Sequence, residues 1–150
     1  MTQITLQPVT KDNWTTCAKL VLPESQRGFV APNVYSIAES KFEPHYQPRA
    51  IMLDTEVVGF LMYCKDEEDS DGKHDVYWLF RMMIAQTHQG KGLGYEAVRL
   101  ALAEMQAMGA RRAYTMHKPG NEVAGKLYVR LGFRRVGVLD DGDVQLQLDF

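Results

Sequence analysis

What this chain lacks narrows its class before any motif is read. Its 150 residues hold two cysteines and four histidines, none spaced as metal ligands, so neither a structural metal nor a metal cofactor is expected. Cys17 and Cys64 read as buried free thiols rather than a disulfide. No apolar run approaches the ~20 residues that span a bilayer, and no basic segment followed by an apolar core opens the chain. Membrane insertion and export are excluded on that reading, which leaves the cytoplasm. The net charge of −2 is too small to favour nucleic acid or an anionic membrane surface as a partner. Repeats and low-complexity linkers are absent, and the length is that of one ordinary domain, so 1–150 is expected to form a single unit.

What is present is clear hydrophobic periodicity. Alternation at Ile4, Leu6 and Pro8 predicts a first strand, and a helix is expected over 14–22, capped by Asp12 or Asn13 and stopped by Pro23. A loop over 24–32 leads to a short helix over 36–42 with Ser36 as its cap. Strands over 50–54 and 57–65 read as a hairpin about Thr55-Glu56, with Gly59 marking a bulge. An apolar strand over 76–85 precedes a helix over 93–108 that Gly109 closes. A strand over 112–117 and a helix over 123–131, set between Asn121 and Gly132, come next. Two strands over 134–139 and 144–149, joined at Asp141-Gly142, complete an α/β chain of order β-α-α-β-β-β-α-β-α-β-β.

Between the apolar strand and the long helix stands Gln89-Gly90-Lys91-Gly92-Leu93-Gly94. Glycines at alternate positions permit positive φ and close approach of a ligand to the backbone. A helix that starts inside the loop adds unpaired amides and the positive end of its dipole, a combination suited to a diphosphate. The pattern G-x-G-x-x-G would need glycine where Tyr95 stands, and a Gly-Lys-Ser/Thr never occurs, so neither nucleotide-binding motif fits. The run does resemble the Q/R-x-x-G-x-G/A signature with which GNAT-superfamily acetyltransferases hold the pyrophosphate of acetyl-coenzyme A. A second segment, Asn121-Glu122-Val123-Ala124-Gly125-Lys126-Leu127-Tyr128-Val129-Arg130-Leu131-Gly132-Phe133, resembles the N-x-x-A-x-x-L-Y-x-x-x-G-F stretch that follows the loop in the same superfamily. The predicted element order is also that of the GNAT fold, a mixed six- to seven-stranded central sheet flanked by four helices.

The resemblance implies an N-acetyltransferase with acetyl-coenzyme A as co-substrate, in which an amine attacks directly within a ternary complex. Neither cysteine lies in a motif that would make it a nucleophile. It implies that the strands on either side of the loop splay apart, and that main-chain amides at Met82, Met83 and Ile84 bind the pantetheine arm and polarise the carbonyl. The side chains of those three residues read as core. Gln89, Gly90, Lys91, Gly92, Leu93, Gly94 and Tyr95 are then the diphosphate loop, and Asn121 contacts the pantetheine, caps its own helix, or both. Arg111, Arg112, Arg130, Arg134 and Arg135 fall on the cofactor side, either as contacts to the nucleotide 3′-phosphate or simply exposed.

Tyr128 matches the tyrosine that protonates the leaving thiolate; the alternative is a tyrosine packed in the core. Its ordinary pKa of ~10 exceeds the ~8.5 of a thiol, so that transfer must be coupled to collapse of the addition species. Where many relatives carry a glutamate, five positions before the asparagine, this chain has Met116, and His117 beside it points the other way in a regular strand. Deprotonation of the amine then passes through waters to an acidic residue that the sequence does not single out, or to Glu24, Tyr35 or His117, which are the candidate bases and acceptor-side residues. The missing base also leaves open a protein that binds acyl-coenzyme A without turnover. A homodimer is implied by the resemblance as well.

The first third carries a narrower resemblance. Leu22-Pro23-Glu24-Ser25-Gln26, Phe29-Val30-Ala31-Pro32-Asn33, Ser36-Ile37-Ala38-Glu39, Val58-Gly59-Phe60-Leu61-Met62-Tyr63 and Trp78-Leu79-Phe80-Arg81 resemble the bacterial spermine/spermidine acetyltransferases. That implies a small-molecule amine partner, a polyamine such as spermidine or spermine, with an amino acid, an aminoglycoside or a protein N-terminus as alternatives. Relatives often carry an acidic residue where Phe80 stands. The acidic run Asp66-Glu67-Glu68-Asp69-Ser70-Asp71 reads either as an attractor for a polycation or as a solvated loop.

Overall fold

The computed structural model describes residues 3–67 and 75–150. Its elements are β1 (Ile4–Pro8), α1 (Trp14–Lys19), α2 (Asn33–Phe42), β2 (Tyr46–Leu53), β3 (Glu56–Lys65), β4 (Val76–Ile84), α3 (Leu93–Ala107), β5 (Arg112–His117), α4 (Glu122–Arg130), β6 (Arg134–Val138) and β7 (Val144–Asp149). The strands form one seven-stranded sheet in the order β1-β2-β3-β4-β5-β7-β6. All pairings are antiparallel except that of β4 with β5, which α3 joins by a crossover as a parallel pair requires.

Three boundaries depart from the sequence expectation by three residues or more, and so does the position of one bulge. Helix α1 stops at Lys19 rather than continuing to Pro23, because Leu20 turns extended (ψ 139°) and the Val21 carbonyl is taken by the Gln86 N–H at 2.9 Å. Helix α2 starts three residues before Ser36: Pro32 holds the cap position with ψ 142°, and Ser36 is buried inside the helix. Strand β2 begins at Tyr46 and includes Pro48. Proline is tolerated there because β1 reaches only as far as Arg49, which leaves Pro48 on a local edge. The bulge in β3 falls on Val58, between the pairs Met52–Val57 and Ile51–Gly59. Gly59 itself is needed for space, since a Cβ there would lie 2.5 Å from the Met83 carbonyl oxygen.

The sheet separates two cores. Helices α3 and α4 cover one face through Ala97, Val98, Ala101, Leu102, Met105 and Tyr128, packed on Leu61, Tyr63, Leu79 and Leu146. The other face carries α1 and α2 over Cys17, Ile37, Phe60, Met62 and Met83. Glu104 lies on the inner side of α3, where its carboxylate accepts from Tyr63 Oη at 2.6 Å and Arg49 Nε at 3.0 Å. A half-buried charge is kept in this way because it is paired and hydrogen-bonded.

Candidate active site

The site begins where β4 and β5 part. Their pairing runs from Val76–Arg112 to Leu79–Thr115 and ends there, with Thr115 Oγ1 donating to the Leu79 carbonyl at 2.9 Å. Beyond this joint β4 stays paired with β3 alone, through Arg81, Met82, Met83 and Ile84. The Ala85 N–H donates to Val58 on β3 at 2.8 Å. Since strand amides alternate in direction, Met83 also points its N–H toward β3, and Met82 and Ile84 point theirs into the fork. Of the three amides expected to serve a ligand, those of Met82 and Ile84 have the right direction. The Met83 amide belongs to the ladder, and its buried side chain accepts from Asn33 Nδ2 through sulfur at 3.4 Å.

A register shift between Met62 and Tyr63 leaves Phe80 as an extra residue in β4. Both Phe80 and Arg81 then lie toward α2. Phe80 stacks edge-on with Tyr46 at 4.8 Å, and Arg81 Nη2 reaches Glu39 Oε1 at 3.3 Å.

At the mouth of the fork lies the glycine loop. Gly90 and Gly92 have φ of 78° and 77°, and a Cβ at either would meet nothing within 4 Å. Their identity is thus set by backbone conformation rather than crowding. Gly94 answers a different demand, because a Cβ there would stand 3.1 Å from Leu127 and 3.2 Å from Met82. It lets α3 start close against α4 and β4. Leu93 packs on the main core, Lys91 is exposed, and Tyr95 stacks under the Arg130 guanidinium at 5.0 Å. Among the described residues no backbone carbonyl takes the N–H of any residue from 90 to 95, and Glu96 is the first to bond back, to Gly92. These six amides, three in the loop and three in the first turn of the 15-residue helix that follows, are therefore left for an anion, which fits a diphosphate.

Gln89 holds this loop in place. Its Nε2 donates to the Ile84 carbonyl at 2.9 Å and to Gln26 Oε1 at 2.9 Å, while Gln26 Nε2 donates back at 3.1 Å.

Tyr128 is 4% exposed, held edge-on to Phe133 at 5.6 Å. Burial pushes its pKa above the ordinary 10.0, opposed only by a side-chain hydrogen bond with Thr115. Thr115 is the residue at the fork's joint, so the phenol sits at the point where the strands separate and keeps its proton at neutral pH. Asn121 accepts from the Ala124 N–H at 3.3 Å, the helix-cap role expected of it. Asn13 occupies the cap position of α1 but turns back to bond Thr10 and Pro8 instead.

Two clefts flank the fork on the α1–α2 side. One of about 240 Å³ is lined by Leu20 to Leu22, Arg27, Val30 to Asn33, and Met83. The other, of about 430 Å³, is walled by Phe29, Phe80 and Met116 and ringed by Arg27, Arg81, His117, Lys118, Asp141 and Asp143. Among the acceptor-side residues expected from sequence, only His117 lines a cleft. Its Nδ1 lies 2.7 Å from the Lys118 carbonyl and so carries the hydrogen, and its Nε2 abuts Gly125 of α4. Glu24 and Tyr35 are exposed and line neither cleft. Asp141, read from sequence only as part of a turn, and Asp143, not singled out from sequence, prove to be carboxylates of this cleft. Asp143 is 7% exposed and pairs with Lys118 Nζ at 3.0 Å, which raises the lysine pKa. The acidic run from Asp66 lies mostly outside the described residues; within it, Asp66 accepts from Trp78 Nε1 at 3.0 Å.

A parallel strand pair that opens over a loop of free amides, with a buried phenol at its joint, has the geometry that suits an acyl carrier. The chain belongs to the acetyltransferase (GNAT) family, whose profile matches residues 14–133. It is 30% identical over 139 residues, 91% of each chain, to a spermine/spermidine N(1)-acetyltransferase of Bacillus subtilis. Among solved structures, an aminoglycoside acetyltransferase AAC(6′)-Ib in complex with coenzyme A superposes with a TM-score of 0.81 at 18% identity, covering 98% of this chain and 95% of that one. The GNAT domain of S. lividans PAT gives 0.80 at 16% identity, over 97% and 89%. This protein is thus an N-acetyltransferase that uses acetyl-coenzyme A as co-substrate. No helix among the described residues is long and apolar enough to cross a membrane.

Proposed function

We propose that the acceptor is a primary amine of a polyamine such as spermidine or spermine. The observation that carries this reading is the 30% identity to a spermine/spermidine N(1)-acetyltransferase, spread over 91% of both chains. The cleft supports it: aromatic walls at Phe29 and Phe80 suit methylene segments, and Asp141 and Asp143 suit an ammonium. In this mechanism the loop amides from Gly90 to Tyr95 hold the diphosphate, and those of Met82 and Ile84 orient the pantetheine arm and its carbonyl. Acetyl-coenzyme A, when bound, supplies an activated acetyl group as its thioester. The amine attacks the thioester carbonyl directly within a ternary complex as its neutral form, its ammonium proton having passed to water. As the C–S bond breaks, Tyr128 gives its proton to the departing thiolate, and the proton the nitrogen releases on forming the amide restores the phenol. The proposal includes single-domain subunits, which the length of 150 residues supports, in a cytoplasmic homodimer; the dimer rests on the family resemblance alone.

A second reading has its own observation. Arg27, Arg81 and Lys118 line the same cleft, and Phe80 stands where polyamine-acting relatives often carry an acid, so an amine that also bears a carboxylate, such as an amino acid or a peptide N-terminus, is the rival acceptor. Initial rates of thiol release from acetyl-coenzyme A with spermidine, spermine, free amino acids, an N-terminal peptide and kanamycin distinguish the two. Spermine or spermidine is expected to give the highest kcat/KM, and no turnover of any polyamine would remove the first reading.

A further inference from the structure

We infer that Gln26 is a positioning residue through which occupancy of the diphosphate loop is communicated to the acceptor cleft. The inference rests on the site described above and concerns the segment 20–32, which supplies walls to both clefts. Within that segment a 3-10 turn at Glu24–Gln26 is followed by a bond from the Phe29 N–H to the Gln26 carbonyl at 3.0 Å. Gln26 thereby fixes the turn that presents Arg27, Gly28 and Phe29 to the acceptor. Its side chain points the opposite way, into the cofactor side, where it exchanges two hydrogen bonds with Gln89 at 2.9 and 3.1 Å. Gln89 is in turn tied to the carbonyl of Ile84, at the end of the fork, and immediately precedes the six free amides.

One side chain therefore touches the loop that takes the diphosphate, and its main chain shapes the wall that takes the amine. The second tie across this seam, Gln86 N–H to the Val21 carbonyl, is main-chain only and lies at the other end of the segment. An anion bound at 90–95 orders the loop, holds Gln89, and through it holds Gln26 and the wall. Coupling of this kind is reciprocal: whatever the cofactor does for the acceptor, the acceptor does for the cofactor by the same factor.

The test compares wild type, Gln26→Ala and Gln26→Glu. The glutamate still accepts from Gln89 but cannot donate back, so it serves as the conservative variant. Hydrogen–deuterium exchange of 22–31 is measured with and without coenzyme A, which needs no knowledge of the true amine. Wild type is expected to gain protection on adding coenzyme A, Gln26→Ala to gain none, and Gln26→Glu to fall between. Coenzyme A affinity of Gln26→Ala, measured by calorimetry, should stay within about two-fold of wild type, which shows that the variant is folded. With spermine as acceptor, its KM should rise about ten-fold with kcat little changed, the effect of about 1.4 kcal/mol lost from two neutral hydrogen bonds. Equal coenzyme A-dependent protection in wild type and Gln26→Ala would overturn the inference while leaving the cofactor site intact. Failure of wild type to bind coenzyme A would overturn both, and failure to turn over spermine alone would strike only the polyamine reading.

Discussion

The cofactor half of the site and the acceptor half are built on different principles. In the first, spanning β4, the glycine loop, α3 and α4, the groups proposed to face the ligand are main-chain amides, and the residue types serve to shape the backbone. Gly90 and Gly92 supply positive φ, Gly94 supplies proximity, and Tyr128 is the one side chain expected to act chemically. In the second, the groups are side chains delivered by four separate places: the α1–α2 connection, the bulge in β4, the end of β5 and the β6–β7 turn. A backbone site constrains its sequence tightly over a short span, whereas a side-chain site assembled from distant segments leaves each residue free to be read as something ordinary.

Several substitutions break or sharpen this contrast. The largest effect belongs to Tyr128→Phe, which is expected to lower kcat by about 10²–10⁴, the range of a general acid, while coenzyme A affinity measured by calorimetry stays unchanged. Undiminished kcat would return Tyr128 to a purely packing role. Next comes Gly92→Val, which forces a β-branched residue to a φ of 77°. Strain of about 1–3 kcal/mol is expected to weaken coenzyme A roughly ten- to a hundred-fold with little change in amine KM once the cofactor is saturating. Asp143→Asn probes the other half: it removes the partner of Lys118 and should raise the KM for spermine several-fold without altering coenzyme A affinity. If it weakened both ligands alike, the two halves would not be separable.

The smallest effect is on stability at high pH. Burial raises the thiols of Cys17 to about 11 and Cys64 to about 12, from 9.0. Groups whose folded pKa exceeds the unfolded value stabilise fully below the latter and lose that contribution as pH climbs through the former. The melting temperature should accordingly be level up to about pH 9 and decline from there toward pH 12. Tyr128, raised from 10.0, joins the decline later. Because Cys17 lies in the core under α1 and α2, the acceptor face should lose exchange protection before the α3–α4 face does.

The same contrast explains what could be read from the sequence. The element order and the loop from Gln89 were legible because periodicity and alternate glycines are local signals. The fork at Leu79 and Thr115 was expected only through the family resemblance, since nothing in either strand's composition marks where pairing stops. Early helix and strand boundaries shifted where a long-range bond, Gln86 to Val21, or a missing neighbour beside Pro48 overrode local preference. Asp143 gave no signal, because an Asp-Gly-Asp run is also ordinary turn chemistry; its burial beside Lys118 is a product of the tertiary fold. Glu24 and Tyr35 were plausible by type and fall outside both clefts, which shows how little residue type alone says about a site assembled from distant segments.

The central claim is that main-chain amides from Gly90 to Tyr95 hold the diphosphate, so that the acyl end of the carrier lies beside the Tyr128 phenol. A crystal structure of the protein with coenzyme A tests it directly. The account predicts diphosphate oxygens within hydrogen-bond distance of those amides and the sulfur next to Tyr128 in the fork between β4 and β5. Coenzyme A bound elsewhere, or with its sulfur away from that fork, would contradict it.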